Sequence, residues 1–354
     1  MKILHTSDLH IGSRLNTRLS PQKASIRRRE LLTAFDELIK KARLHSASVM
    51  IIAGDLFDEK KALASAKSRI RDAVEAHSDI TFLYLPGNHE GDALSNYPMP
   101  KNFIRIGGDG WVKHEISGVG FYARERNYTT MFDELHTDSD KNIAILHGEL
   151  KPSGKGEMVI CEADARGHGL DYIALGHYHT YSEKKIDDRC CAVYCGSPEG
   201  RGFDEAGNLG YVIIDTDGKR VTHSFHEGAI RRLFDITADI GECVGINETE
   251  KKIRASLSEA RADDLVRVTL IGHRDMDNRP DTHALYDRLL GDFWYFEIED
   301  KTKIKINPEE IRYTKTLKGE FVSLVMEDKG LTEDEKTEII NFGICALMGE
   351  DAED

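Results

Sequence analysis

The chain has 354 residues, with 62 Asp+Glu against 48 Lys+Arg and a net charge of -14. Its 40% apolar and 31% charged residues are the make-up of a folded globular protein, which excludes wholesale disorder. The acidic balance excludes a protein that holds nucleic acid or anionic membrane through bulk charge, and no stretch approaches the ~18 apolar residues of a membrane span.

The segment Lys2–Ser7 reads as a short strand that leads into polar residues, without the apolar core of a signal peptide. Residues 21–45 predict a helix, with Ile26, Leu31, Leu32, Phe35, Leu38, Ile39 and Ala42 near the 3.6 period. A buried strand follows at 48–55, a helix at 62–77 and a second buried strand at 80–88 that ends in a Pro-Gly turn. Two short strands are expected near 111–122, a helix near 128–136, and buried strands at 142–148, 171–177, 192–197 and 210–215. Strands alternating with helices, then strands alone, predict a layered α/β fold with two sheets over residues 1–228. Beyond it, strand-like 231–240, 265–272 and 293–300 alternate with helical 247–260 and 280–290, which predicts a small α/β domain over 229–305. Residues 306–354 form a C-terminal segment with an amphipathic helix at 332–348 and an acidic tail after Gly349.

The six cysteines are dilute, which predicts a reducing, cytoplasmic compartment. Cys190, Cys191 and Cys195 in RCCAVYC could supply half a zinc site. No second Cys/His pair stands at finger-like spacing, so they are read as buried strand cysteines.

Five of the apolar strands end in polar clusters: Ser7-Asp8-Leu9-His10, Gly54-Asp55, Gly87-Asn88-His89, His147-Gly148 and Gly176-His177-Tyr178-His179. Ligands bind at the carboxyl edge of strands in α/β sheets, so the five clusters are expected to converge on one site. Asp8 and His10 stand two residues apart, as do His177 and His179, and each pair can turn to one side of an extended segment. Asp, His and Asn suit Mn, Fe, Zn and similar divalent ions. The candidates Asp8, His10, Asp55, Asn88, His147, His177 and His179 are too many for one ion and suit two, with Asp55 as the bridge because a carboxylate has two oxygens. Two ions ~3.5–4 Å apart polarise a phosphoryl group and generate a bridging hydroxide at neutral pH. His89 is read as the general acid or transition-state stabiliser, and Asp58 in GDLFD as the carboxylate that orients its imidazole.

The order D-x-H (Asp8, His10), GDxxD (Asp55, Asp58), GNHE (Asn88, His89, Glu90), a lone His147 and GHxH (His177, His179) resembles the calcineurin-like metallophosphoesterases. The opening KILHTSDLHIGS and the later YCGSPEGRGFDE are similar to the SbcD-type DNA-repair exonuclease branch. The resemblance covers about residues 1–228 and implies a four-layer α/β/β/α sandwich with a small α/β capping domain. It implies one ion on Asp8, His10, Asp55 and His179 and another on Asp55, Asn88, His147 and His177. Manganese is the metal it implies, with iron or zinc as alternatives, and the activity is phosphodiester cleavage in DNA by an exonuclease or endonuclease of DNA repair. Asp58 stands where some nuclease relatives carry a second histidine. The same resemblance implies an SbcC-type coiled-coil ATPase partner, with helix 332–348 as a compact docking candidate beside the plainer reading of a helix packed on its own domain. A homodimer is a further expectation, and no membrane is implied.

The charge is unevenly spread: residues 1–50 carry 10 Lys+Arg and only 4 Asp+Glu. The stretch 11–29, directly after His10, holds Arg14, Arg18, Lys23, Arg27, Arg28 and Arg29 and no acid. Such a segment beside a metal site would neutralise phosphates flanking a scissile bond. Arg14, Arg18 and Arg201 are the substrate-binding candidates, with Arg124 and Arg126 in loops that could reach the same rim. The first rival reading is the same chemistry on a small nucleotide or other phosphodiester. The second is a structural subunit that guides a partner ATPase.

Overall fold

The computed structural model describes all residues except 14, 16, 17, 59–62, 90–92, 128, 129, 155, 157, 276, 277 and 350–354. The chain forms two compact units, Met1–Phe234 with Asp263–Leu265, and Asp235–Ala262 with Val266–Asp354.

In the first unit the strands are β1 (Lys2–Thr6), β2 (Ala47–Ala53), β3 (Thr81–Leu85), β4 (Phe103–Arg105), β5 (Val112–Ile116), β6 (Val119–Ala123) and β7 (Lys141–His147). They continue as β8 (Glu149–Lys151), β9 (Val159–Cys161), β10 (Tyr172–Gly176), β11 (Ser182–Lys185), β12 (Cys191–Tyr194), β13 (Gly210–Asp215) and β14 (Thr222–Glu227). Two six-stranded sheets result, in the orders β14-β13-β1-β2-β3-β4 and β11-β12-β10-β7-β6-β5, with β8 and β9 paired apart from both. β1, β2 and β3 are parallel neighbours, and so are β7 and β10. All five polar clusters therefore leave from carboxyl ends, three from one sheet and two from the other.

Alternation along each strand sorts its side chains into two faces. Ile3, Val49, Ile51 and Leu83 meet Phe121, Ile143, Ile145, Ala174 and Val193 in a core between the sheets. The opposite face of the first sheet, with Leu4, Met50, Ile52 and Phe82, is covered by Phe35, Leu38, Ile39 and Ala42 of α1 (Pro21–Leu44) and by Ile70 and Val74 of α2 (Ala64–Glu75). The opposite face of the second sheet, with Ala144, Leu146, Ile173 and Leu175, is covered by Met131, Phe132, Leu135, Ile160 and Leu170. This is the expected α/β sandwich, but among the described residues its outermost cover is thinner than a helix. The helix expected near 128–136 is a four-residue 3-10 turn, Met131–Glu134, because Thr130 enters it at φ 69° and Leu135 leaves it extended. Its first residues, 128 and 129, lie outside the described set.

The Ser20 hydroxyl caps α1 by accepting from the Lys23 backbone at 3.3 Å, with Pro21 in the first turn. Arg27 of this helix does not face solvent with the rest of the basic segment. It is 1% exposed and places Nη2 2.7 Å from Glu199 Oε2 and 2.8 Å from the Gly200 carbonyl. Burial pushes the Glu199 carboxyl up, and Arg27 opposes that shift. Arg27→Ala would strand this carboxylate, so a loss of about 3–5 kcal/mol in urea unfolding is expected, whereas Arg28→Ala on the exposed side should be near neutral.

The strand β15 (Leu233–Asp239) carries the chain into the second unit and pairs in the order β15-β16-β18 with β16 (Leu265–Ile271) and β18 (Tyr295–Asp300). The short strands β17 (His273–Arg274) and β19 (Lys303–Ile304) form a separate parallel pair. Helices α3 (Gly245–Ser256) and α4 (Thr282–Leu289) bury Ile253, Leu285 and Leu289. The remaining helices are α5 (Pro308–Ile311), α6 (Leu317–Glu327) and α7 (Glu333–Met348), which gather Ile311, Val322, Ile340 and Ile344 into a small core. Thr332 and Glu335 start α7 with reciprocal capping bonds. No helix among the described residues is long and apolar enough to cross a membrane.

Candidate metal centre

The loops after β1 and β2 zip together through Asp8 N to Gly54 O at 3.0 Å, His10 N to Asp55 O at 2.9 Å and Ile11 N to Leu56 O at 2.9 Å. The loop after β7 joins the end of β10 through Gly148 N to Gly176 O at 3.1 Å. Tight approach demands glycine: a Cβ on Gly54, which sits at φ 94°, would overlap the His147 imidazole, and one on Gly176 would overlap the Ala53 carbonyl. Asp8, His10, Asp55 and His177 have φ of 52°, 45°, 51° and 114°, a region that costs a non-glycine residue about 1–3 kcal/mol. That strain falls on the strand-end clusters because their side chains must turn back over the sheet edges.

The ligand atoms of Asp8, His10 and His179 lie within 4.8 Å of one another, and so do those of Asp8, Asp55 and His147. Asp8 belongs to both groups, and Asp55 Oδ2 links them too, 3.9 Å from His10 Nε2 and 3.4 Å from His147 Nε2. Asp55 Oδ1 is occupied by the His89 backbone N–H at 3.0 Å. Asp8 is held by the His177 backbone N–H and by the Ser7 hydroxyl, while its Oδ1 faces His10 Nε2 at 4.0 Å and His179 Nε2 at 3.9 Å. Asn88 Oδ1 lies 2.9 Å from His147 Nε2. His177 stands at the margin, its ring 5.5 Å from that of His147.

The outer nitrogens of three imidazoles are tied down. His147 Nδ1 donates to the Ala53 carbonyl at 2.9 Å, His179 Nδ1 lies 2.8 Å from Glu205 Oε1, and His10 Nδ1 lies 3.1 Å from Asp58 Oδ1. A proton on each Nδ1 leaves every Nε2 as an inward lone pair, the tautomer a metal ligand needs. His10 Nε2 and His179 Nε2 are then two acceptors 3.3 Å apart, beside two carboxylates that are each 1% exposed. This donor set fits cations. Without an ion the same groups pair with one another: burial pushes the Asp55 carboxyl up, but the bond and charge of His147, with His10 and the His89 N–H, hold it at about 2. Burial pushes His147 down, and Asp55 and Asp8 outweigh it, raising the imidazole to about 9, so its Nε2 carries a proton that a bound cation would displace. Burial and the neighbouring His147 lower His177.

Asp58 and Arg201 make contacts beyond those expected. Asp58 Oδ1 lies 3.1 Å from His10 Nδ1, because Ile11 bridges to Phe57 and Asp58 N reaches the Ile11 carbonyl, and Asp58 also stands within 4.8 Å of a His89 ring nitrogen in a cluster with His10. His89 is exposed at the mouth, its ring 5.0 Å from His10. Arg201 turns inward, with Nη1 2.9 Å from Asp58 and Nε 2.8 Å from Glu205 Oε1, so it braces the two carboxylates that hold His10 and His179. Arg124 is 5% exposed and bonds the Arg126 carbonyl and Glu134. Arg18 is exposed; Arg14 and Glu90 lie outside the described residues.

Glu205 was not singled out by the sequence beyond its place in YCGSPEGRGFDE, although it is 3% exposed and held at about 2, where His179 and Arg201 overcome the upward push of burial. Glu205→Gln is expected to weaken metal binding about 10–100-fold by calorimetry, with the fold retained.

Two β-sheets whose strand ends gather aspartates, histidines and an asparagine define a metal-site phosphoesterase fold, and the chain belongs to the calcineurin-like phosphoesterase family, whose profile matches residues 1–181. Its curated relatives include the DNA double-strand break repair protein Mre11 of Haloferax volcanii, 25% identical over 273 residues, 72% of this chain and 58% of that protein. The protein of the same name from Methanopyrus kandleri is 26% identical over 282 residues, 68% of this chain and 60% of its own. That of Saccharolobus solfataricus is 26% identical over 328 residues, 84% and 78% of the two chains. The chain thus spans less than two thirds of the length of the first two. All three carry the name of a DNA-repair protein, the branch that the flanking motifs resemble.

Proposed function

We propose that the chain is a two-metal phosphodiesterase that cuts DNA, with residues 1–228 as the nuclease domain, 229–305 as its cap and 306–354 as a C-terminal segment. The observation that carries this reading is the single oxygen of Asp55 set within 4 Å of both His10 Nε2 and His147 Nε2, one from each ligand group. Asp8, His10, Asp55 and His179 would hold one divalent ion, and Asp55, Asn88, His147 and His177 the other, with manganese as the native metal. When bound, the ions supply Lewis-acid activation of a phosphoryl oxygen and of a water. His89, exposed beside His10, gives its imidazole proton to the departing oxygen. Asp58, Glu205 and Arg201 fix the ligand imidazoles.

Arg18 and the exposed arginines of α1 neutralise flanking phosphates, so activity falls with salt. Leu324 and Phe342, 71% and 65% exposed on α6 and α7, support a protein partner on that segment, an ATPase in this reading. The setting is the cytoplasm. A panel of end-labelled duplex and single-stranded DNA, bis-p-nitrophenyl phosphate and cyclic nucleotides tests the assignment. Metal-dependent cutting of DNA is expected; cleavage of the small diesters alone, in every metal tried, would reject it.

A further inference from the structure

At the far side of the sandwich, β11 and β14 are the outer strands of the two sheets. Glu183 pairs with Val193 and Cys191 with Lys185, so Glu183 and Cys191 lie diagonally on one face of their sheet. That face is the inner one, since Val193 belongs to the core between the sheets and Cys191 packs on it. His223 arrives from the other sheet, opposite Ile214 of the same core. The thiol of Cys191, a ring nitrogen of His223 and a carboxylate oxygen of Glu183 come within 4.8 Å of one another. His223 Nε2 is 2.7 Å from Glu183 Oε2, which also accepts from the Tyr181 hydroxyl at 3.0 Å. The His223 ring is set by Tyr172, 5.5 Å away and inclined at 63°.

We infer that Glu183, Cys191 and His223 bind a borderline-soft divalent cation, zinc by ligand chemistry, which clips the outer strands of the two sheets together. Thiolate, imidazole and carboxylate are the three side-chain ligand types of zinc, with bond lengths of about 2.0–2.3 Å, so a small contraction of the trio closes the shell and a water completes it. Mg and Ca are disfavoured because a thiolate is a soft ligand. Burial and the charge of Glu183 push the Cys191 thiol up, so a cation is what would convert it to a thiolate. Cys190 and Cys195 take no part: Cys190 belongs to the outer core of the second sheet, and Cys195 lies 3.1 Å from Ser7. The ligands stand at 183, 191 and 223, on three strands of two sheets, so no finger-like spacing announces them.

The site is independent of the strand-end centre, which has no sulfur ligand, and this makes cobalt a selective probe. Full-length protein stripped with chelator is titrated with Co2+ and then with Zn2+. A near-ultraviolet thiolate-to-cobalt charge-transfer band is expected, lost in Cys191→Ser and bleached when zinc displaces cobalt. Glu183→Gln, on an exposed edge strand, should keep the fold and shift the titration midpoint about tenfold or more. No band in the wild-type protein, or an equal band in Cys191→Ser, would overturn the site.

Discussion

Asp55→Asn is expected to lower kcat/KM for DNA cleavage by roughly a thousandfold, a loss of about 4 kcal/mol in transition-state stabilisation. The reason is geometric. Asp55 Oδ2 stands near both His10 Nε2 and His147 Nε2, at 3.9 and 3.4 Å, and Asp8 is the other carboxylate that reaches both groups. An amide keeps the size of the side chain and can still accept the His89 N–H at one oxygen. It removes the charge that two ions would share, and its amino group turns a hydrogen-bond donor toward them. Calorimetry should show both metal equivalents weakened, not one. Unchanged circular dichroism would separate this outcome from unfolding, and near-normal affinity for either ion would contradict the bridging role.

His89→Ala should have a different signature. The imidazole stands exposed beside the ligands, while the His89 backbone N–H is what touches Asp55. Removing the side chain therefore leaves that bond and the metal affinity in place. Turnover on DNA is expected to fall about 10²–10⁴-fold, the usual yield of a positioned general acid. The loss should shrink on bis-p-nitrophenyl phosphate, whose leaving group departs without a proton. An equal loss on both substrates would point to a role for His89 in phosphate binding instead.

Much of this site was legible because continuous apolar runs such as Ser48–Ala53 have one use in an α/β chain, and the residue after the last apolar position must emerge at the sheet edge. Asp8, Asp55, Asn88, His147 and His177 could be placed together on that ground alone. What the sequence hid was which side chain holds which. Asp58 follows His10 because two loops zip through backbone bonds, and backbone bonds leave no residue signature. Glu205 reaches His179 across 26 positions of chain, and Arg27 turns inward only because Glu199 waits there. The edge strands β11 and β14, reading SEKK and THSFHE, lack the apolar run that marks their neighbours. Helix α6 was missed because apolar residues surround it, and Leu317 and Leu324 remain 67% and 71% exposed.

Electron paramagnetic resonance of the manganese-loaded protein probes the shared carboxylate most directly. Two Mn2+ ions per chain with a spin-coupled spectrum are predicted for the wild-type chain, and loss of that coupling for Asp55→Asn. A single ion per chain, or two that give only isolated-ion signals at saturation, would contradict a centre built on one oxygen of Asp55.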